Sequence, residues 1–105
     1  MYRVQYLPSA EQDFYDIISY IAIKLQNPKA AEDFANLYDK KVQKLCDGIA
    51  IGLPLRGKLP KRIQSCGYRW IAVKNYLAFF TVAEAEKMIS IHHVTYGRRN
   101  LAKLL

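Results

Sequence analysis

Apolar side chains recur along this chain with two different periods, and the changes of period mark out its elements. "YRVQYL" alternates and is rich in β-forming residues, so residues 2–7 are expected to form a strand that Pro8 ends. Ser9 followed by Gln12 fits a capping box opening a helix. Ala10, Phe14, Ile17, Ile18, Ile21 and Leu25 then recur at steps of three and four, which predicts a helix over about 10–26 with Glu11, Asp13, Asp16 and Lys24 on its other side. Asn27 and Pro28 read as N-cap and first-turn proline of a second helix reaching about Asp47, with Ala31, Phe34, Tyr38, Val42, Leu45 and Cys46 as its buried stripe. So short a link implies an antiparallel helical hairpin.

"GIAIGLPLRGKLPKRIQSCG", from Gly48 to Gly67, has four glycines, two prolines and no clean period, and reads mostly as loop. Three β-rich runs follow, "YRWIAV" at 68–73, "YLAFFTV" at 76–82 and "MISIHHVTY" at 88–96. Lys74 and Asn75 make a tight turn between the first two, and "AEAEK" turns between the second and third, giving an antiparallel meander. The order strand, helix, helix, strand, strand, strand describes an α+β fold in which the hairpin covers one sheet face and leaves the other bare.

Length fits one domain spanning residues 1–105. Neither a signal-peptide pattern nor an apolar run of roughly 20 residues is present, so a cytoplasmic protein without a membrane partner is expected. Cys46 and Cys66 have no Cys or His at metal-like spacing, so neither a disulfide nor a metal or other cofactor is expected. Charge changes the picture more. The chain carries +7, but residues 1–55 hold six Lys/Arg against seven Asp/Glu (net −1), whereas residues 56–105 hold ten against two (net +8). A basic half of this kind points to a polyanionic partner, nucleic acid before membrane.

The candidate chemistry follows that charge. Arg56, Lys58, Lys61, Arg62 and Lys74 are the expected nucleic-acid contacts; Arg69, Arg98 and Arg99 are expected to meet on the open sheet face as phosphate and transition-state cations. His92 and His93 are the acid–base candidates, but neighbours on a regular strand point to opposite faces, so one at most is expected at any one site. Tyr96 is placed to donate a hydrogen bond or stack on a base. No Gly-rich phosphate loop or nucleophile elbow occurs.

Over nearly its whole length the chain resembles the RelE/ParE toxins of bacterial type II toxin–antitoxin modules. The resemblance is carried by "YRVQYLPSAEQDFYDIISYI", by "YRWIAVKNYLAFF" and by the ending "ISIHHVTYGRRN", a strand followed by His or Tyr, Gly and two basic residues. It implies the α+β fold above, toxicity, and a cognate antitoxin that wraps and neutralises the protein. Its members include ribosome-dependent mRNA endonucleases and noncatalytic inhibitors of DNA gyrase, and one fold serves both. Matched to the RelE-like nucleases, Arg69 falls on a basic strand position and Arg99 on the catalytic arginine. Ile71 stands where those nucleases have a second lysine and Leu77 where "YR" is usual, and the tail to Leu105 lacks their late tyrosine. The resulting expectation is mRNA cleavage on the ribosome, with Arg69, Arg98, Arg99, Tyr96 and the histidines as its site. Gyrase inhibition is the alternative.

Overall fold

A computed structural model describes residues 1–48, 53–54 and 68–97 of the chain. The first strand is β1 (Arg3–Tyr6), followed directly by helix α1 (Pro8–Ser19), a π-helical turn (Tyr20–Lys24) and helix α2 (Pro28–Cys46). Short β2 (Leu53–Pro54) precedes the meander β3 (Arg69–Val73), β4 (Tyr76–Ala83) and β5 (Met88–Tyr96). The five strands form one sheet in the order β1-β5-β4-β3-β2, with β1 parallel to β5 and the other pairings antiparallel. The α+β architecture expected from the periodicity is therefore present, with β2 added inside the stretch read as loop.

The start of α1 departs from expectation. Its N-cap is Leu7, which has no side chain to cap with, and Pro8 opens the helix because its missing N–H would go unsatisfied there anyway. Ser9 does not cap; its hydroxyl donates to the His92 carbonyl at 2.7 Å, while Gln12 bonds Asp16. The end of the helix departs too. A π turn closes by Leu25 N–H donating to the Tyr20 carbonyl, five residues back. The wider turn advances the helical phase, so Ile21 stays buried whereas Leu25, last of the expected stripe, is exposed. At α2 the expectation holds: the Asn27 side chain accepts from Ala30 N–H at 3.1 Å, Pro28 follows, and all six stripe residues are buried.

Both helices lie on one sheet face, where Ala10, Ile17, Ile21 and the α2 stripe meet Val73, Ala78, Phe80, Ile89, Ile91 and Val94. Fully buried Phe34 and Phe80 are each worth roughly 2–3 kcal/mol of transfer free energy. The opposite face was expected bare, but it is not: Phe79, whose neighbours Ala78 and Phe80 point into the helix-side core, is also fully buried, and Thr95 is 6% exposed. Alternation puts Phe79 on that second face, with its register partner Trp70.

One core group is unsatisfied. The Tyr38 hydroxyl, on a residue 3% exposed, has no hydrogen-bond partner among the described residues, although the ring packs on Phe14 and Tyr6. A buried hydroxyl without a partner costs about 1–3 kcal/mol. Tyr38→Phe is therefore expected to stabilise the free chain by about 1 kcal/mol, read as a higher denaturant midpoint at unchanged slope.

Candidate functional site

The working end of the sheet is set by where β1 stops. Its pairing with β5 ends at Tyr6↔Ile91, leaving the rest of that β5 edge without a neighbouring strand among the described residues. Helix α1 takes over. Leu7 N–H donates to the Ile91 carbonyl, Ser9 donates to the His92 carbonyl, and one Asp13 carboxylate oxygen accepts both Val94 N–H (3.1 Å) and His93 Nδ1 (3.2 Å). Asp13, expected on the solvent side, is thus turned onto the sheet. Its spacing gave the signal: it stands three residues after Ala10 and four before Ile17, on the buried stripe.

The same stretch carries a β-bulge. Phe79 pairs with His93 but Phe80 pairs with Ile91, so His92 is an extra residue on β5. Ile91 and Val94, three apart, both reach the helix-side core, which regular alternation forbids. The expectation that His92 and His93 must face opposite ways therefore fails at this bulge; what separates them is their partners. His92 Nε2 lies 2.9 Å from Thr81 Oγ1 and its ring meets Tyr68 edge-on at 5.0 Å. Burial, reinforced by the neighbouring His93, pushes its imidazole below its ordinary value. His93 is instead held by Asp13 through Nδ1, a contact that fixes its ring orientation.

Tyr96 is half-exposed at the end of β5 and packs edge-on against Tyr76, which in turn packs on Phe34. Burial first, then the nearby Tyr20 and Tyr96 phenols, pushes the Tyr76 phenol up, so it stays protonated. Asp13, Asp16, Ile17, Tyr76, Val94, Thr95 and Tyr96 line a small cleft of about 140 Å³ here. Lys74 reaches the same end of the sheet: it sits exposed in the β3–β4 turn with φ 58°, and the adjacent Asn75 carbonyl accepts from Gly97 N–H at 3.0 Å. A Cβ on Gly97 would meet that carbonyl at 3.4 Å, the near edge of ordinary contact.

Arg69 is elsewhere. It shares the parity of Ile71 and Val73, the helix-covered face, and is level with Phe80 and Ile91, two strands from β5 or roughly 10 Å. Arg69 therefore does not lie on the open face, where it was expected to meet Arg98 and Arg99. Arg56, Lys58, Lys61, Arg62, Arg98, Arg99 and Cys66 lie outside the described residues. Among the described residues no three His, Cys, Asp or Glu side chains form a metal-ligand group, and no helix is long and apolar enough to cross a membrane.

A family model described as ParE toxin of type II toxin-antitoxin system, parDE, matches residues 4–101. Among solved structures, the chromosomal ParDE toxin–antitoxin system from P. aeruginosa aligns with a TM-score of 0.67 at 20% identity, covering 91% of this chain and 96% of that one. A metal-bound toxin from Helicobacter pylori aligns with a TM-score of 0.61 at 16% identity, covering 92% of this chain and 96% of that one. Both likenesses concern the fold. No curated protein matches.

Two outcomes follow from this geometry. Asp13→Ala orphans Val94 N–H and releases His93, and should cost about 1–3 kcal/mol in denaturant unfolding, whereas Asp13→Asn, which keeps an acceptor for Val94, should cost less. For His92 the folded chain favours the neutral ring, so the unfolded chain binds more protons near and below the ordinary value of 6.5. Its stabilising contribution is present above that value and is lost as pH falls through the lower folded value. His92→Gln, which can still bond Thr81, should therefore lose less stability than the parent between about pH 7 and pH 5, as thermal melts at matched ionic strength would show.

Proposed function

This chain belongs to the ParE toxin family of type II toxin–antitoxin systems, and from that membership we propose that it arrests growth by inhibiting DNA gyrase without catalysing a reaction. A cognate antitoxin is its neutralising partner. The observation that carries the choice of target is the match to a ParE model over residues 4–101, since the fold alone serves both ParE-like inhibitors and RelE-like nucleases.

Two features support the reading. Ile71 and Leu77 stand where RelE-like nucleases carry basic residues, and Arg69 is on the helix-covered side of β3, away from both histidines. A nuclease needs its cations and its proton carrier within reach of one phosphate, and the described residues do not assemble such a set. An inhibitor of a protein–DNA machine has a looser requirement: a basic surface that meets the polyanion and a shape that fits the protein. The net +8 of residues 56–105 meets the first. Lys74, in a turn hydrogen-bonded to the residue before Arg98, belongs to the same end of the molecule.

The deciding experiment adds the purified chain to gyrase supercoiling DNA and, separately, to ribosomes holding mRNA. Loss of supercoiling with intact mRNA is expected. Cut mRNA with normal supercoiling would overturn the proposal and return the site to a nuclease in which Asp13-held His93 carries the proton. In cells, the double substitution Arg98→Ala with Arg99→Ala should abolish growth arrest at equal protein level, and unchanged arrest by a folded double variant would remove the basic pair from the mechanism.

A further inference from the structure

On the side of α1 away from β5, a cavity of about 370 Å³ opens between β1, α1 and α2. That is within the range of ligand sites, roughly 300–1,000 Å³. Four aromatic rings contribute to its wall, Tyr6, Phe14, Tyr15 and Tyr38, together with Ala10 and the carboxylates of Glu11 and Asp39. Tyr6 and Tyr38 stand edge-to-face with centroids 6.0 Å apart, and Tyr38 and Phe14 are 4.9 Å apart.

Three properties of this cavity are left unused by the fold. Tyr15 is 68% exposed and Tyr6 37%, so two large rings keep part of their surface in water. The Tyr38 hydroxyl is buried without a partner. Neither carboxylate is engaged: Glu11 and Asp39 make no ion pair or side-chain hydrogen bond with a described residue, whereas Asp16, Asp33 and Asp47 each find one on their own helix. Sequence explains the difference, because Glu11 has Phe14 and Tyr15 three and four positions on, and Gln43, four after Asp39, bonds Asp47 instead. Asp39 is near enough to both phenols to help burial push Tyr6 and Tyr38 up, so both rings stay neutral and present electron-rich faces beside a negative charge.

Aromatic faces framed by unpaired carboxylates suit a cation with an apolar stem. We propose that this cavity receives an arginine side chain from a protein partner, with its guanidinium stacked on the tyrosines and paired with Glu11 or Asp39. Arginine fits better than lysine because its planar, weakly hydrated head both stacks on rings and forks onto a carboxylate, whereas an ammonium loses more hydration on entering. The pocket lies in the −1 half of a chain whose other half is +8, so it is where a cationic group finds attraction and not repulsion. The partner's arginine also supplies the polar neighbour that the phenol wall lacks. This assignment is independent of which target the basic half meets.

The test titrates N-acetyl-arginine amide into the full chain while aromatic ring resonances are followed by NMR. Saturable shifts of Tyr6, Phe14, Tyr15 and Tyr38 are expected, with a dissociation constant of roughly 1 mM. The neutral control, N-acetyl-norleucine amide, should produce none below about 20 mM, some twentyfold above that constant. The double variant Glu11→Gln with Asp39→Asn changes two exposed helix positions, should melt like the parent, and should bind at least about tenfold more weakly, as expected for loss of a desolvated cation's counter-charge. Tyr38→Phe should keep the cavity and weaken binding less. Equal binding of the norleucine amide, unaltered affinity of the double variant, or shifts confined to the β3–β5 end would each overturn the proposal.

Discussion

The packing of α1 along the free part of the β5 edge depends on one carboxylate. Strand β5 is the hub of the sheet, with β4 along one edge and β1 along part of the other. Where β1 ends, β5 still has backbone groups facing away from β4, and leaving one of them buried and unpaired costs about as much as a lost hydrogen bond. Asp13 resolves this from a helix, accepting Val94 N–H while holding His93. Ser9 treats the His92 carbonyl in the same way. The bulge at His92, the docking angle of α1 and the direction in which the chain leaves for its basic tail are therefore one arrangement. No part of it can be moved alone.

Charge is also divided along the chain. Helix α1 uses Asp13 toward the sheet and Glu11 toward the cavity beside α2, two residues apart but on different sides of the helix. Most of the basic residues belong to the second half of the sequence, while two carboxylates without a described partner, Glu11 and Asp39, line the cavity between the helices.

The periodic elements were legible in the sequence and the irregular ones were not, for a physical reason. The α2 stripe, its Asn27–Pro28 start and the three meander strands follow from repeats of 3.6 and 2 with ordinary caps and turns, and all are present. Misreadings fall where a residue is inserted into a regular repeat. The π turn after Ser19 exposes Leu25, and the bulge at His92 undoes the alternation that was to separate the histidines. Insertions of this kind are decided by tertiary contacts: His92 is accommodated because Ser9, Asp13, Thr81 and Tyr68 surround it. The capping box failed similarly, because Ser9 had a carbonyl on β5 to bond, eighty-three residues away in sequence. Asp13 alone was recoverable, as an acid on an apolar stripe.

Parallel pairing of β1 with β5 carries the last step. The first strand is the sheet edge and the last described strand, β5, pairs beside it, so α1 and the approach to the tail are packed together although they lie far apart in the sequence. Phe14 lines the cavity between α1 and α2 and is the neighbour of Asp13 on the same helical turn. Rigid helices transmit displacement better than they absorb it, because packed interiors have low compressibility. The cavity wall and the Asp13 contacts to His93 and Val94 are thus carried by one helix, on its two sides.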